Sequence, residues 1–395
     1  FSVVIGFFLS VMVAHAAVPA LKLDAKGRGV SSLIYGNGNG GRNYLNKNDY
    51  LGDLYVRYVL SGNVYAVKLS DYTPKIISND LQHIKIAWQL PGAVRLNQTF
   101  SVVGQEMDWN ISFNNDSKQS VEITDMKVRV PIGERNEKLA AKDNLAKHDF
   151  LNGNSSFAYW LPYKGQGDVL LMTLNGATSL EYKELGDYCY IHSKTSVDRM
   201  NDTWQFPSTS KVVSSGKSYT VGFNFSLVDS YMNVENKLYD KGYVVAKIVP
   251  GMVVSPEMNV RCALACKQGI KALEPQHPQQ VQIAGKGRAN KKQLYDFNFS
   301  HLGEQLIVVK YGQGKVCYLN FFVTEPLETV MKKRARFIAT HQQHRDSTKW
   351  YNGLYSLWDM QNKVLLSPDS IGELPYPYMV GGSDDPTNCK ALYLS

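Results

Sequence analysis

Cysteine is scarce in this chain: Cys189, Cys262, Cys266, Cys317 and Cys389 are the five in 395 residues. A number that small and odd excludes a disulfide-stapled scaffold. Cys262 and Cys266 stand in "RCALACK", a spacing that suits one helix face, with no His or second Cys pair nearby. They are expected to be small buried hydrophobes, and no metal is expected. A strong charge of one sign is also lacking, since 43 Lys and Arg stand against 35 Asp and Glu for a net charge of +8. The basic stretches "GKGRANKK" (Gly285–Lys292) and "MKKRAR" (Met331–Arg336) are short. The first reads as an exposed loop, the second as the solvated face of a helix, and nucleic acid is excluded as a partner. "YGNGNGGRN" (Tyr35–Asn43) is not followed by an amphipathic helix, so it is not a phosphate cradle. G-x-S-x-G and H-E-x-x-H do not occur. Internal repeats and low-complexity linkers are missing, and no cofactor is expected.

A membrane-length apolar run is missing too. Val3 to Val13 is almost wholly apolar but short, and Ala14-His15-Ala16 follows. This is the pattern of a secretory signal and its cleavage site, not of a span. Residues 1–16 are expected to be removed, placing the protein outside the cytoplasm, secreted or periplasmic. The initiating Met and basic n-region are missing, so the start is expected to be truncated by a few residues.

What the chain does hold is strand pattern. "DLYVRYVL" and "NVYAVKLS" alternate around Ser61-Gly62, a turn candidate. "HIKIAWQL" follows, then "TFSVVGQEMDWNISFNN" as two strands around Gly104-Gln105. In "SVEITDMKVRVPIG" the alternation slips by one residue near Thr124-Asp125, which predicts a bulge. "LAAKDNLAKHDFLNGNSSF" (Leu139–Phe157) is polar and reads as a surface excursion. Strands resume at "DVLLMTL", "YCYIHS" and "SYTVGFNFSLV". "DSYMNVENKLYDKG" predicts one helix, with Asp229 as cap, Tyr231, Val234 and Leu238 as stripe and Gly242 as stop. "VVAKIVPGMVV" reads as strand, turn, strand, and "LIVVKYG" with "KVCYLNFFV" as a late hairpin. The fold class is mainly β, a large antiparallel sandwich over residues 17–323.

Near Thr324 the period changes from two to 3.6. Pro326 stands at an N1-like position, and Leu327, Val330, Met331, Arg334, Ile338 and His341 follow helical spacing. Residues 324–345 are predicted as a connecting helix, with a second, helical domain opening over 346–395. His341 and His344 near the helix end need no chemistry, because the dipole favours them. Trp350, Tyr351, Trp358 and Asp359 in "WYNGLYSLWDM" suit a sugar-binding surface, aromatic faces for C–H faces and Asp for hydroxyl pairs, and equally an interdomain core. Tyr376 and Tyr378, in a Pro-rich connection, are expected to be exposed. Asp384-Asp385 with Pro386 makes a helix start. One carboxylate caps the helix while the other reaches a sugar site as a binding or catalytic acid.

"MDWNISFNNDSKQSVEITDMKVRVPIG" resembles the galactose-mutarotase-type supersandwich of secreted polysaccharide-degrading enzymes. "VVAKIVPGMVVSPEMNV", "FNFSHLGEQLIVVKYGQGKVCYLNFFVTEPLETVMKKRARFI", "WYNGLYSLWDMQNKVLL" and "YMVGGSDDPTNCKALYLS" resemble an uncharacterised family of large bacterial six-hairpin glycosidase-like proteins. The resemblance implies a sandwich leading through a helix into an (α/α) toroid. A toroid of twelve helices takes roughly 200 residues, whereas 51 follow His344. The chain is therefore expected to be an N-terminal fragment, inactive alone, with the helical remainder of its own chain as a partner. The expected function is glycoside hydrolysis of a glycan by paired carboxylates with Asp384 and Asp385 contributing. The alternatives are a polysaccharide lyase on the same architecture, with a Tyr or His base and an Arg or Lys to neutralise a uronate, and a non-catalytic glycan-binding module.

Overall fold

The computed structural model describes residues 18–35, 42–133, 144–184, 188–200, 206–367 and 369. The signal-like segment, Tyr376, Tyr378, Asp384, Asp385 and Cys389 lie outside these residues.

The chain is mainly β. Alternation builds the first strands as read: Leu54, Val56, Tyr58 and Leu60 point inward along Leu54–Leu60 while Tyr55, Arg57 and Val59 point outward. That strand turns into Asn63–Lys68 through Ser61 and Gly62, both at positive φ, the turn whose twist matches a hairpin. Val121–Arg129 pairs with Leu54–Leu60 through a register shift between Ile123 and Asp125, the expected bulge. With Tyr188–Ser193, Tyr182–Glu184 and Lys211–Val213 these strands form a six-stranded sheet.

The second large sheet has eight antiparallel strands in the order Leu145–Phe150, Phe157–Pro162, Val169–Asn175, Ser218–Val228, Glu106–Asn115, Val94–Val103, His83–Leu90, Lys75–Asn79. Side chains from both sheets share one core, among them Tyr58, Ile123, Phe100, Trp109 and Phe223, all fully buried. The indole of Trp109 donates to Gln98 Oε1 at 2.8 Å, and Gln98 Nε2 donates to the Gly52 carbonyl at 2.8 Å. The buried Gln98 side chain is thus satisfied at both ends.

The segment expected to wander over the surface holds an edge strand instead. Leu145–Phe150 pairs along its length with Phe157–Pro162, which was not read as a strand either. Its polar residues are tolerated because an edge strand has one paired side, and aromatic stacking covers the other cost: His148 lies on Tyr159 and Phe150 on Phe157, at 4.7 and 4.6 Å between ring centroids. The predicted helix after Asp229 is a 3-10 turn, Tyr231–Asn233, running into Val234–Asp240. Val234 and Leu238 are buried against Tyr159, Val169, Leu171 and Val228, while Tyr231 stays half exposed.

Beyond Tyr243 two four-stranded sheets follow, ordered Val245–Val249, Val260–Ala265, Lys292–Phe299, Val281–Ala289 and Val253–Val254, Lys315–Val323, Gly303–Tyr311, Ile270–Pro275. The late hairpin is present as read. "RCALACK" is strand rather than helix: Cys262 points inward from Val260–Ala265, and burial pushes its thiol up to about 12. "GKGRANKK" is the exposed tip of the hairpin Val281–Ala289/Lys292–Phe299, not a loop, because Asn290 and Lys291 take up the positive-φ turn. The chain divides into two compact units, one of Phe1–Val245, Leu264–Leu273 and Val308–Tyr318, the other of Ala246–Ala263, Glu274–Ile307 and Leu319–Ser395.

The helix predicted at the change of period spans Leu327–His341, directly after Pro326. Its stripe is buried only toward the C-terminal end, at Ala335 and Ile338, while Leu327 is 72% exposed. Of the segment from 346 onward, the described part is a run of turns and the two-stranded hairpin Trp358–Asp359/Val364–Leu365.

Candidate functional site

Within the first unit, a cavity of about 270 Å³ opens between the strand end at His192, the start of Ser218–Val228, the turn Ala177–Glu181 and the hairpin Gln313–Tyr318. Asn154 holds this frame. Its Oδ1 accepts from the Val316 amide at 2.9 Å, and its Nδ2 donates to the carbonyls of Ala177 and Thr178 at 3.1 and 2.9 Å. Gly153 is required beside it: φ is +58°, and a Cβ there would meet the Val316 carbonyl oxygen at 2.8 Å. Phe206 stacks on Tyr318 at 5.0 Å and forms the aromatic wall.

The polar wall is a chain of four side chains. Glu181 is buried. Its Oε2 accepts from the amide and hydroxyl of Ser193 at 3.0 and 2.7 Å and from the Thr209 amide at 3.0 Å, and its Oε1 accepts from the Thr209 hydroxyl. His192 Nδ1 lies 2.8 Å from Thr209 Oγ1, and Nε2 lies 2.9 Å from the Tyr219 hydroxyl. Because the single Thr209 proton goes to Glu181, Nδ1 must be the donor of its own bond. Nε2 is then the acceptor, and the Tyr219 hydroxyl donates to it.

Burial, with Lys211 adding to it, lowers the His192 pKa to about 4. Burial raises Tyr219 above the ordinary phenol range and raises Glu181 as well, against the hydrogen bonds from Thr209 and Ser193 that pull it back. Both shifts oppose passing the Tyr219 proton to His192, because burial disfavours the charged form of each group. In the free protein this is a preorganised set of hydrogen-bonding groups, not a poised proton relay. A neutral imidazole, a phenol, an aromatic wall and the Gln313 and Lys315 side chains suit a polyhydroxylated ligand.

The sequence did not single out His192, Glu181, Thr209 or Tyr219. The available signal was a histidine in "YCYIHS" at a position that alternation turns inward. Of the residues it did single out, those among the described residues do not line this pocket. Trp350 is 79% exposed. Tyr351 is buried, with its hydroxyl donating to Asp369 Oδ2 at 2.7 Å and its ring edge-on to His344. Trp358 packs edge-on to Phe337 and His341. The Asp359 carboxylate accepts from the amides of Gln361 and Asn362 at 2.8 and 3.0 Å and from Asn362 Nδ2, holding the hairpin turn. Trp350 and Tyr351 contact each other, with ring centroids 5.4 Å apart. Among the described residues no cluster of three His, Cys, Asp or Glu side chains is placed to hold a metal ion.

A family model matches residues 42–370, that of DUF5695, a family of unknown function. The chain belongs to this family. No curated protein matches it. Among solved structures, a polysaccharide lyase matches this member of DUF5695 at 14% identity with a TM-score of 0.73, covering 96% of the chain and 59% of the lyase. The chain thus spans somewhat less than two thirds of that protein's length. The Slr1438 protein of Synechocystis sp. PCC 6803 matches at 12% identity and a TM-score of 0.36, over 54% of this chain and 93% of that one. A galactose mutarotase related enzyme of Lactobacillus acidophilus matches at 10% identity and 0.33, over 54% and 95%. At these identities the likeness to the lyase is one of fold. Among the described residues no helix is long and apolar enough to cross a membrane.

Proposed function

We propose that this DUF5695 chain is carbohydrate-active, acting on a polysaccharide with one sugar unit seated in the His192–Tyr219 pocket. The observation that carries this reading is the fold shared with a polysaccharide lyase over 96% of the chain. The pocket supports it, since an aromatic wall faces donors and acceptors that match sugar hydroxyls. Elimination is preferred to hydrolysis. Hydrolysis takes two carboxyls ~5–10 Å apart across the bond. The pocket lining has one carboxylate, Glu181, and both of its oxygens already accept hydrogen bonds. Hydrolysis with Asp384 or Asp385 as one acid is the second reading. Export by the N-terminal apolar segment, and a helical body continuing from Leu327–His341, belong to the same proposal.

The test incubates the full-length protein with neutral and acidic polysaccharides. An ultraviolet-absorbing unsaturated product supports elimination. New reducing ends without that absorbance support hydrolysis, and binding without turnover that survives Asp384→Ala and Asp385→Ala supports a binding module. In each case Tyr219→Phe weakens glycan binding if the pocket is the site. Full affinity in that variant, or no glycan bound at all, sinks the assignment.

A further inference from the structure

The pocket is not isolated. Ala177, Gln313 and Lys315 also line a wider recess of about 630 Å³, whose remaining walls are Gly176, Gln268, Lys271 and Gly312. Its floor is built by close approach: Gly312 lies at φ +52°, and a Cβ there would sit 2.2 Å from Gln268 Oε1. The Gly312 amide donates to the Gly269 carbonyl at 3.1 Å, which ties the two turns together. Two lysines line the recess and no carboxylate does. Among the described residues neither the Lys271 nor the Lys315 ammonium has an ion-pair or side-chain hydrogen-bond partner. Neighbouring Lys267 differs, with Asp240 at 3.6 Å. Two uncompensated ammonium groups beside a polar amide favour an anion.

We propose that this recess is a subsite for a negatively charged sugar, a carboxylated or sulfated unit next to the one held at His192 and Tyr219. The inference rests on the reading of that pocket as a sugar site and adds the charge of its ligand. Lys315 lines both spaces, so it contacts both sugar units. Lys271 reaches only the charged one. Affinity for an anionic chain then falls as salt rises, while affinity for a neutral chain does not.

Calorimetric titration of the full chain tests this with three probes of matched length: an oligogalacturonate, a sulfated galactan oligosaccharide and a neutral galactan oligosaccharide. The expected result is tighter binding of an anionic probe, with the preferred one naming the charged group. Lys271→Gln, outside the lining of the sugar pocket, should reduce that affinity about three- to fivefold and leave the neutral probe within twofold. Lys291→Gln with Lys292→Gln, remote in sequence on the basic hairpin tip, should change nothing. Equal affinity for charged and neutral probes overturns the charge assignment while leaving the sugar pocket standing. Equal loss from the Lys291 and Lys292 pair overturns it as non-specific attraction. Failure of all three probes to bind overturns both readings.

Discussion

Acidification should act on this protein through His192. The side chain is 7% exposed and its pKa is lowered to about 4 by burial, whereas in the unfolded chain it titrates at about 6.5. A histidine with a depressed folded pKa leaves the unfolded state binding more protons between the two values. Stability is therefore complete above about pH 6.5 and is lost as pH falls toward 4. Between about pH 7.5 and about pH 5 this group alone should remove about 2 kcal/mol. The groups that face it are Glu181, 3.9 Å from Nδ1, with Asp125, Lys211 and Tyr219. Glu181, raised by burial, works in the opposite direction, because its stabilising contribution is lost as pH rises through its folded value. The assay is urea denaturation at the two pH values for the wild type and for His192→Gln, which keeps a hydrogen-bonding amide but has no titrating proton. The wild type should lose about 2 kcal/mol more than the variant. Parallel losses would show that His192 is not a buried neutral imidazole, and the donor order deduced from Thr209 to Tyr219 would fall with it.

Trp109→Phe should cost about 1–3 kcal/mol, read as a shifted urea midpoint, because it strands the buried Gln98 carbonyl oxygen without its donor. A cost near zero would mean that water replaces the indole. Gly312→Ala should cost about 1–3 kcal/mol from positive-φ strain, and by displacing Gln268 should weaken binding in the recess more than in the pocket, as paired charged and neutral titrations would show. Ile338→Ala should destabilise by about 2–5 kcal/mol, while Leu327→Ala, on the exposed start of the same helix, should stay within about 0.5 kcal/mol. Similar thermal shifts for the two would contradict the one-sided packing of that helix.

Local chemistry made much of the first unit legible. Alternating residues in Leu54–Leu60 and Glu106–Asn115, the Ser61-Gly62 turn and the slip at Thr124-Asp125 are short-range signals, and each appears where the pattern places it. Leu145–Phe150 was missed because an edge strand need not alternate strictly, and "RCALACK" was misread because four-residue Cys spacing does not separate helix from strand over so short a run. The aromatic and acidic residues near the C-terminal end attracted attention by composition. Asp359 shows the hazard, since its carboxylate is occupied by its own turn.

The sequence by itself determined that this protein is mainly β, where most of its long strands run, and where the period changes to helix, because each depends on side chains a few residues apart. Only the tertiary structure decided which strands are neighbours. It brought Glu181, His192, Thr209 and Tyr219 into one hydrogen-bonded line and set Lys271 and Lys315, from separate strands, around one recess. Those groups meet through sheet pairing across tens of residues, and a contact of that range leaves no periodic trace in a single chain.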